Sequence, residues 1–188
     1  MKTISTMAAV LMTTAAFTLQ AAELAPELTE ARSLVKQFGT NLKAEVQKGM
    51  KEGGPVHTID VCSKKAPGIA KEISDESGWA VARTSLKYRN PGNQPDEWEQ
   101  EVLEQFEARK AAGEPVASLE FAEFVGSGED RRFRYMKAIP TGEVCLNCHA
   151  TEIKPDVEAK IQEIYPADQA RGFRKGDIRG AFSLSKIY

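Results

Sequence analysis

Residues 145–149 read Cys-Leu-Asn-Cys-His: two thiols three positions apart, with an imidazole directly after the second. This spacing serves several chemistries. It is the attachment pattern of a c-type haem. Each sulfur forms a thioether to one vinyl group, the two intervening residues set the separation, and the adjacent histidine offers an axial nitrogen to the iron. It is also half of a structural zinc site, which Cys62 and a histidine would complete. A redox-active dithiol or a simple disulfide would use the two cysteines without the histidine.

The start of the chain favours the first reading. Lys2 supplies a short positive region, Met7 to Leu19 a weakly apolar stretch, and Ala21 and Ala22 small residues suited to cleavage. The apolar run is shorter and more mixed than the ~20 residues a membrane span needs. Residues 1–22 are therefore expected to be a signal peptide, leaving 23–188 as a single exported, periplasmic domain without a membrane span. Haem of the c type is attached after export, and the covalent link prevents its loss outside the cell. The expected cofactor is one covalently attached haem c. With a formal charge of −2, the chain has no basic excess for a nucleic-acid backbone and no polybasic run for an anionic membrane. The partner it implies is a redox protein or a sensor kinase, with neither identified.

A second axial ligand must come from upstream, because no methionine, histidine or cysteine follows His149. The candidates are Met50, His57, Cys62 and Met136. Met50 adjoins a Gly-rich turn, where exposure is expected. His57 follows Pro55 at a helix start, a solvated or capping position. Met136 falls in a strand, where a core methionine is the simplest account. Cys62 is a lone thiol on an apolar helical face in an oxidising compartment. Ligation to iron would explain its survival, and a small buried core residue is the competing account.

The elements that must position these groups follow from periodicity. From Glu27 to Met50 apolar residues recur at three- and four-residue steps, which predicts a helix. The sequence EGGP at 52–55 ends it. A second helix is predicted over Thr58–Ser77, kinked or divided at Pro67. Ala80–Leu86 reads as a strand and NPGNQP (90–95) as a loop. Asp96 is placed to cap a helix carrying Trp98, Val102, Leu103 and Phe106. Ser118–Val125 and Arg132–Ile139 read as a hairpin around GSGED. A short helix over Asp156–Tyr165 and a closing strand over Arg179–Ser185 complete an α+β pattern.

The ordered landmarks Ile59-Asp60-Val61-Cys62, Arg83 to Pro91 (RTSLKYRNP), Asp96-Glu97-Trp98-Glu99, Arg134 to Pro140 (RYMKAIP) leading into CxxCH, and Gly176 to Ser183 (GDIRGAFS) resemble a family of c-type haem domains with a PAS-like fold. That family occurs as stand-alone exported proteins and as sensory regions of membrane-bound histidine kinases. The resemblance implies a five-stranded antiparallel sheet with flanking N-terminal and inserted helices. It also implies His149 and Cys62 as the two axial ligands, with Lys87 and Arg89 as propionate contacts. The functions it suggests are one-electron transfer, redox or gas sensing without an output module of its own, and, with least support, a peroxidase-like activity.

Overall fold

A computed structural model describes the backbone of residues 9–188 and the side chains from residue 25 onward, so the signal segment expected over residues 1–22 lies outside the fully described residues. Helix α1, Ala9–Ser77, opens the chain. Strand β1 (Ala80–Thr84) follows, then α2 (Glu97–Ala111), β2 (Glu120–Val125), β3 (Arg132–Pro140), α3 (Leu146–His149), α4 (Pro155–Ile164) and β4 (Ile178–Ile187). The strands form one antiparallel sheet in the order β1-β4-β3-β2.

Helix α1 is interrupted where EGGP predicts a stop. Gly53 and Gly54 leave helical geometry, and Gly54 takes a φ of 68° that a side chain would resist. The break turns α1 into two arms. At Pro67 the backbone stays helical, contrary to the expected kink. A proline removes one hydrogen bond, and the arm is held by burial of Ala66 beside it and of Ile73 further along.

The first arm of α1 and the end of the second pack on one face of the sheet. Ala31, Phe38 and Ile73 meet Phe133, Tyr135, Phe182 and Leu184 there. The opposite face carries α2, whose Val102, Leu103 and Phe106 meet Met136, Ala138 and Ala181. The alternation along β3, with Phe133 and Tyr135 to one side and Met136 and Ala138 to the other, is the two-residue period of a strand covered on both faces. Each large side chain so buried contributes roughly 1.5–3 kcal/mol. Helix α2 begins at Asp96 with a full capping box: the Asp96 carboxylate accepts from the Glu99 amide and the Glu99 carboxylate from the Asp96 amide.

The sheet has four strands among the described residues, one fewer than the resemblance implies. After β1 the chain enters Asn90-Pro91-Gly92-Asn93-Gln94-Pro95, where it forms a single 3-10 turn over Pro91–Asn93. Two prolines lack the amides a further strand would need. The turn closes back on β1, with the Ser85 amide donating to the Asn93 carbonyl at 3.2 Å.

Candidate functional site

A cavity lies where the two arms of α1, the β1–β4 end of the sheet and the CxxCH segment meet. Its apolar wall comes from Leu42, Val46 and Met50 on the first arm, Ile59 on the second and Ile139 on β3. Cys62 enters from the second arm, and Cys145, Cys148 and His149 from the motif. Arg83, Arg89 and Arg179 enter from β1, the loop after it and β4.

The motif is a short 3-10 turn over Glu143–Cys145 running directly into α3. Pro140 ends β3 just before it. The following chain pins α3 from the other side: the Phe173 amide donates to the His149 carbonyl at 3.0 Å and the Gly172 amide to the Ala150 carbonyl at 3.2 Å. The three cysteines are half-buried free thiols. Burial pushes the Cys148 thiol above its usual pKa, partly opposed by Arg89. Burial also raises Cys62, partly opposed by Arg83 and Arg89.

The His149 ring has a fixed orientation. Its Nδ1 lies 2.9 Å from the Ala170 carbonyl, and a carbonyl accepts only, so Nδ1 carries the proton and Nε2 bears the lone pair. Phe173 packs edge-on against the ring at 6.1 Å between centroids. Burial, together with the charges of Arg179 and Arg89, holds the imidazole well below its ordinary pKa, so it is neutral near pH 7. A neutral imidazole whose second nitrogen is tied to a carbonyl is the form that binds a metal.

Arg89 builds the support behind that ring. Its Nε and Nη2 reach the two oxygens of Asp168 at 3.0 and 3.2 Å, and Nη2 also donates to the Cys148 carbonyl at 2.6 Å. The Asp168 carboxylate also accepts from the Ala170 amide at 3.0 Å and from Arg171 Nε at 2.6 Å. Asp168 thus fixes Ala170, and Ala170 fixes the His149 ring. Burial alone would raise the Asp168 carboxyl, but the hydrogen bonds from Arg89 and Arg171 outweigh it and hold the group below its usual value.

Of the four upstream candidates for a second axial ligand, Cys62 and Met50 line the cavity. Met50 is half-buried on its wall and not exposed as the adjoining turn suggested, because the break at Gly53 folds the two arms around it. His57 is exposed, 3.7 Å from Glu52, and Met136 is fully buried under α2. Lys87 lies outside the cavity lining, with its ammonium 5.6 Å from the centre of the Phe173 ring. Among the described residues no three of the His, Cys, Asp and Glu side chains converge to hold a bare metal ion, which removes support from the zinc reading.

Arg179 and Asp168 are additions to the sequence-derived set. Arg179 stands inside the GDIRGAFS landmark, so its position was marked though its role was not. Asp168 sits in an irregular loop, where no periodicity or spacing distinguishes it. Gly180 beside Arg179 takes a φ of 153°, and a Cβ there would stand 2.3 Å from the Thr84 carbonyl, so only glycine lets β4 lie this close to β1.

A family model described as Tll0287-like matches residues 8–186. Among solved structures, the crystal structure of the cyanobacterial heme-protein Tll0287 matches with a TM-score of 0.67 and 29% sequence identity, covering 86% of this chain and 95% of that one. No curated protein matches.

Proposed function

The chain belongs to the Tll0287-like family, and from that premise we propose that it is an exported c-type haem protein with a one-electron redox role. Cys145 and Cys148 hold the haem by thioethers, His149 Nε2 supplies one axial ligand and Cys62 the other. The observation that carries this reading is the convergence of the CxxCH sulfurs, an oriented neutral imidazole and a lone thiol on one cavity with an apolar wall. Nothing in that donor set opposes a haem: soft sulfur, neutral nitrogen, apolar surface for the macrocycle and cations for its carboxylates.

Haem supplies a one-electron ferric/ferrous couple. The protein's part is to set its potential and its access. A Cys62 thiolate is electron-rich and favours the ferric state, so the potential is low. The Ala170 carbonyl on Nδ1 makes the imidazole a stronger donor and acts in the same direction. With both axial positions taken by side chains, small ligands enter only when one leaves. Export to the periplasm as a single domain over 23–188 accounts for a covalent cofactor, and ligation of Cys62 to iron accounts for a lone thiol in an oxidising compartment.

A second reading, a redox or gas sensor, draws on the burial of Cys62. Burial favours the neutral thiol, which is a weak ligand for ferrous iron, so reduction would free an axial position for nitric oxide or carbon monoxide. A peroxidase-like activity has less support, because His57, the one other histidine of the chain, is exposed and away from the cavity.

The test compares ferric and ferrous absorption and EPR spectra of the wild-type holoprotein and Cys62→Ser, with haem staining of denatured protein for Cys145→Ser/Cys148→Ser. The expected result is a low-spin thiolate signature lost in Cys62→Ser, and covalent haem lost in the double variant. Identical spectra for wild type and Cys62→Ser would remove Cys62 as a ligand and leave Met50 as the remaining candidate on the cavity wall. Loss of the thiolate signature on reduction of the wild type, with binding of carbon monoxide, would favour the sensor.

A further inference from the structure

Three guanidinium groups line the cavity, and they differ in what neutralises them. Arg89 is matched by Asp168, whose side chain is fully buried. Asp168 is shared with Arg171, which also pairs with Glu158. Arg83 and Arg179 have no carboxylate partner among the described residues. The Arg83 guanidinium lies 5.7 Å from the centre of the Phe38 ring. Arg179 donates only to neutral atoms: the Ser85 hydroxyl and the Lys87 carbonyl, each at 3.2 Å, and His149 Nε2 at 3.4 Å. Its guanidinium also faces Phe173 at 5.2 Å.

Two such groups on one wall repel each other. Arg179 is lowered to about 10 by burial and by the charges of Arg89 and Arg83. Arg83 is lowered by burial as well. The other titratable groups facing them are Cys62, Cys145, Tyr165 and Asp168, and Asp168, the one carboxylate among them, is already held by Arg89 and Arg171. An unmatched cation in a protein wall is costly, and anions from outside the chain would remove that cost. The contact of Arg179 with His149 Nε2 points the same way, since that nitrogen cannot both accept from Arg179 and bind iron. Arg179 is therefore free for another acceptor once Nε2 is engaged.

We propose that Arg83 and Arg179 are the counter-ions of the two haem propionates, and that they help to set the haem's redox poise. The proposal rests on the haem reading above. It assigns Arg89 to the scaffold behind His149 and leaves Lys87 outside the carboxylate contacts. Two carboxylates against two guanidiniums bring the site's uncompensated charge to zero, and a bidentate guanidinium–carboxylate pair is the strongest pairing available to either. Removing one guanidinium favours the more positive ferric form.

The experiment uses the holoprotein as wild type, Arg83→Gln, Arg179→Gln, the corresponding lysine variants and Lys87→Gln. Haem staining after denaturation comes first: no covalent haem in the wild type ends the haem reading itself, independently of the arginines. With haem attached, the ferric:ferrous ratio is read at one fixed ambient potential against redox dyes. Each glutamine variant is expected to raise that ratio about tenfold, as for loss of one partly desolvated charge. The lysine variants and Lys87→Gln are expected to stay within about threefold of wild type. Glutamine variants that carry haem and keep the wild-type ratio would overturn the proposal. If a glutamine variant does not accumulate, the wild type answers alone. Its haem carboxyl groups, labelled with carbon-13 and followed by infrared, are expected to stay ionised to below about pH 3, under the ordinary carboxylic-acid range. Protonation at ordinary or higher pH would overturn the assignment.

Discussion

The arginines along the outer parts of the molecule and those of the cavity obey different rules. Arg109 pairs with Glu114 at 2.6 Å, Arg134 with Asp96 at 2.7 Å, and Arg32 with Glu120. Each has a carboxylate within reach and some access to water. Solvent screens such pairs, and each contributes little to stability. Arg83 and Arg179 line a cavity without a carboxylate, which makes them a cost to the protein alone. A fold retains such a cost where a ligand removes it. Arg89 stands between the two classes. It is buried like the cavity pair, yet matched like the outer ones, and its match with Asp168 is what orients the metal-binding ring.

The largest effect that would break this comparison lies at Asp168. Asp168→Asn leaves Arg89 and Arg171 short of a buried counter-charge and weakens the support behind Ala170 and His149. Truncating one partner of a buried pair costs about 3–5 kcal/mol. The expected outcome is a loss of that order in denaturant unfolding of the holoprotein, with an altered low-spin spectrum as the His149 ring loosens. A loss below about 1 kcal/mol would place Arg89 and Asp168 with the outer pairs.

Acid sharpens the same point. The Asp168 carboxyl is held below its ordinary value of 3.8, so the folded state binds that proton more weakly than the unfolded chain does. Its contribution to stability is full above pH ~4 and is lost as pH falls through the folded value. Stability measured from pH 6 downward is expected to fall most steeply below pH ~4. Asp168→Asn should flatten that part of the profile, since the variant has no carboxyl to protonate there. Parallel profiles would show that other carboxylates carry the acid response.

Much of this was legible in the residues, for physical reasons that differ by element. The helix cap at Asp96, the hairpin around GSGED and the break at Gly53–Gly54 are local signals. Each depends on a few adjacent side chains and on backbone angles that glycine alone takes readily. The CxxCH motif is local too, and its cysteines and histidine reach one cavity. Cys62 was flagged because a lone thiol on an apolar stripe is odd chemistry wherever it folds. The four strands among the described residues are those that periodicity marks, and a fifth came only from the resemblance. Met50 was misplaced because a residue beside a turn looks exposed until a second arm folds over it. Asp168 was invisible, since its tie to the site runs through Arg89, which lies 79 residues earlier in the chain, and no spacing rule spans that distance. Arg179 shows a third kind of limit. The GDIRGAFS landmark marked its place, but an unmatched charge becomes apparent only when every possible partner has been located.

The smallest expected effect belongs to Arg32 and Glu120, and it sets the floor of the comparison. The Arg32 side chain is 54% exposed and that of Glu120 27%, so solvent screens their attraction. Glu120 is held below its usual value by the hydrogen bond from Arg32 against the opposing effect of burial. It also accepts from the Tyr135 hydroxyl at 2.7 Å, and the Tyr135 side chain is buried. Glu120 therefore has a second, less exposed partner that survives the loss of the arginine. A double-mutant cycle with Arg32→Met and Glu120→Gln is expected to give a coupling of about 0.5 kcal/mol, shrinking as salt is raised. The ferric:ferrous ratio of Arg32→Met should match wild type within about twofold, because the charge lies beyond the cavity and is screened. If Arg32→Met moved that ratio as far as Arg83→Gln does, the ratio would be reporting total charge, and the distinction between matched and unmatched arginines would lose its meaning. A small coupling with an unmoved ratio would confine the redox effect to the two guanidiniums that have no carboxylate of their own.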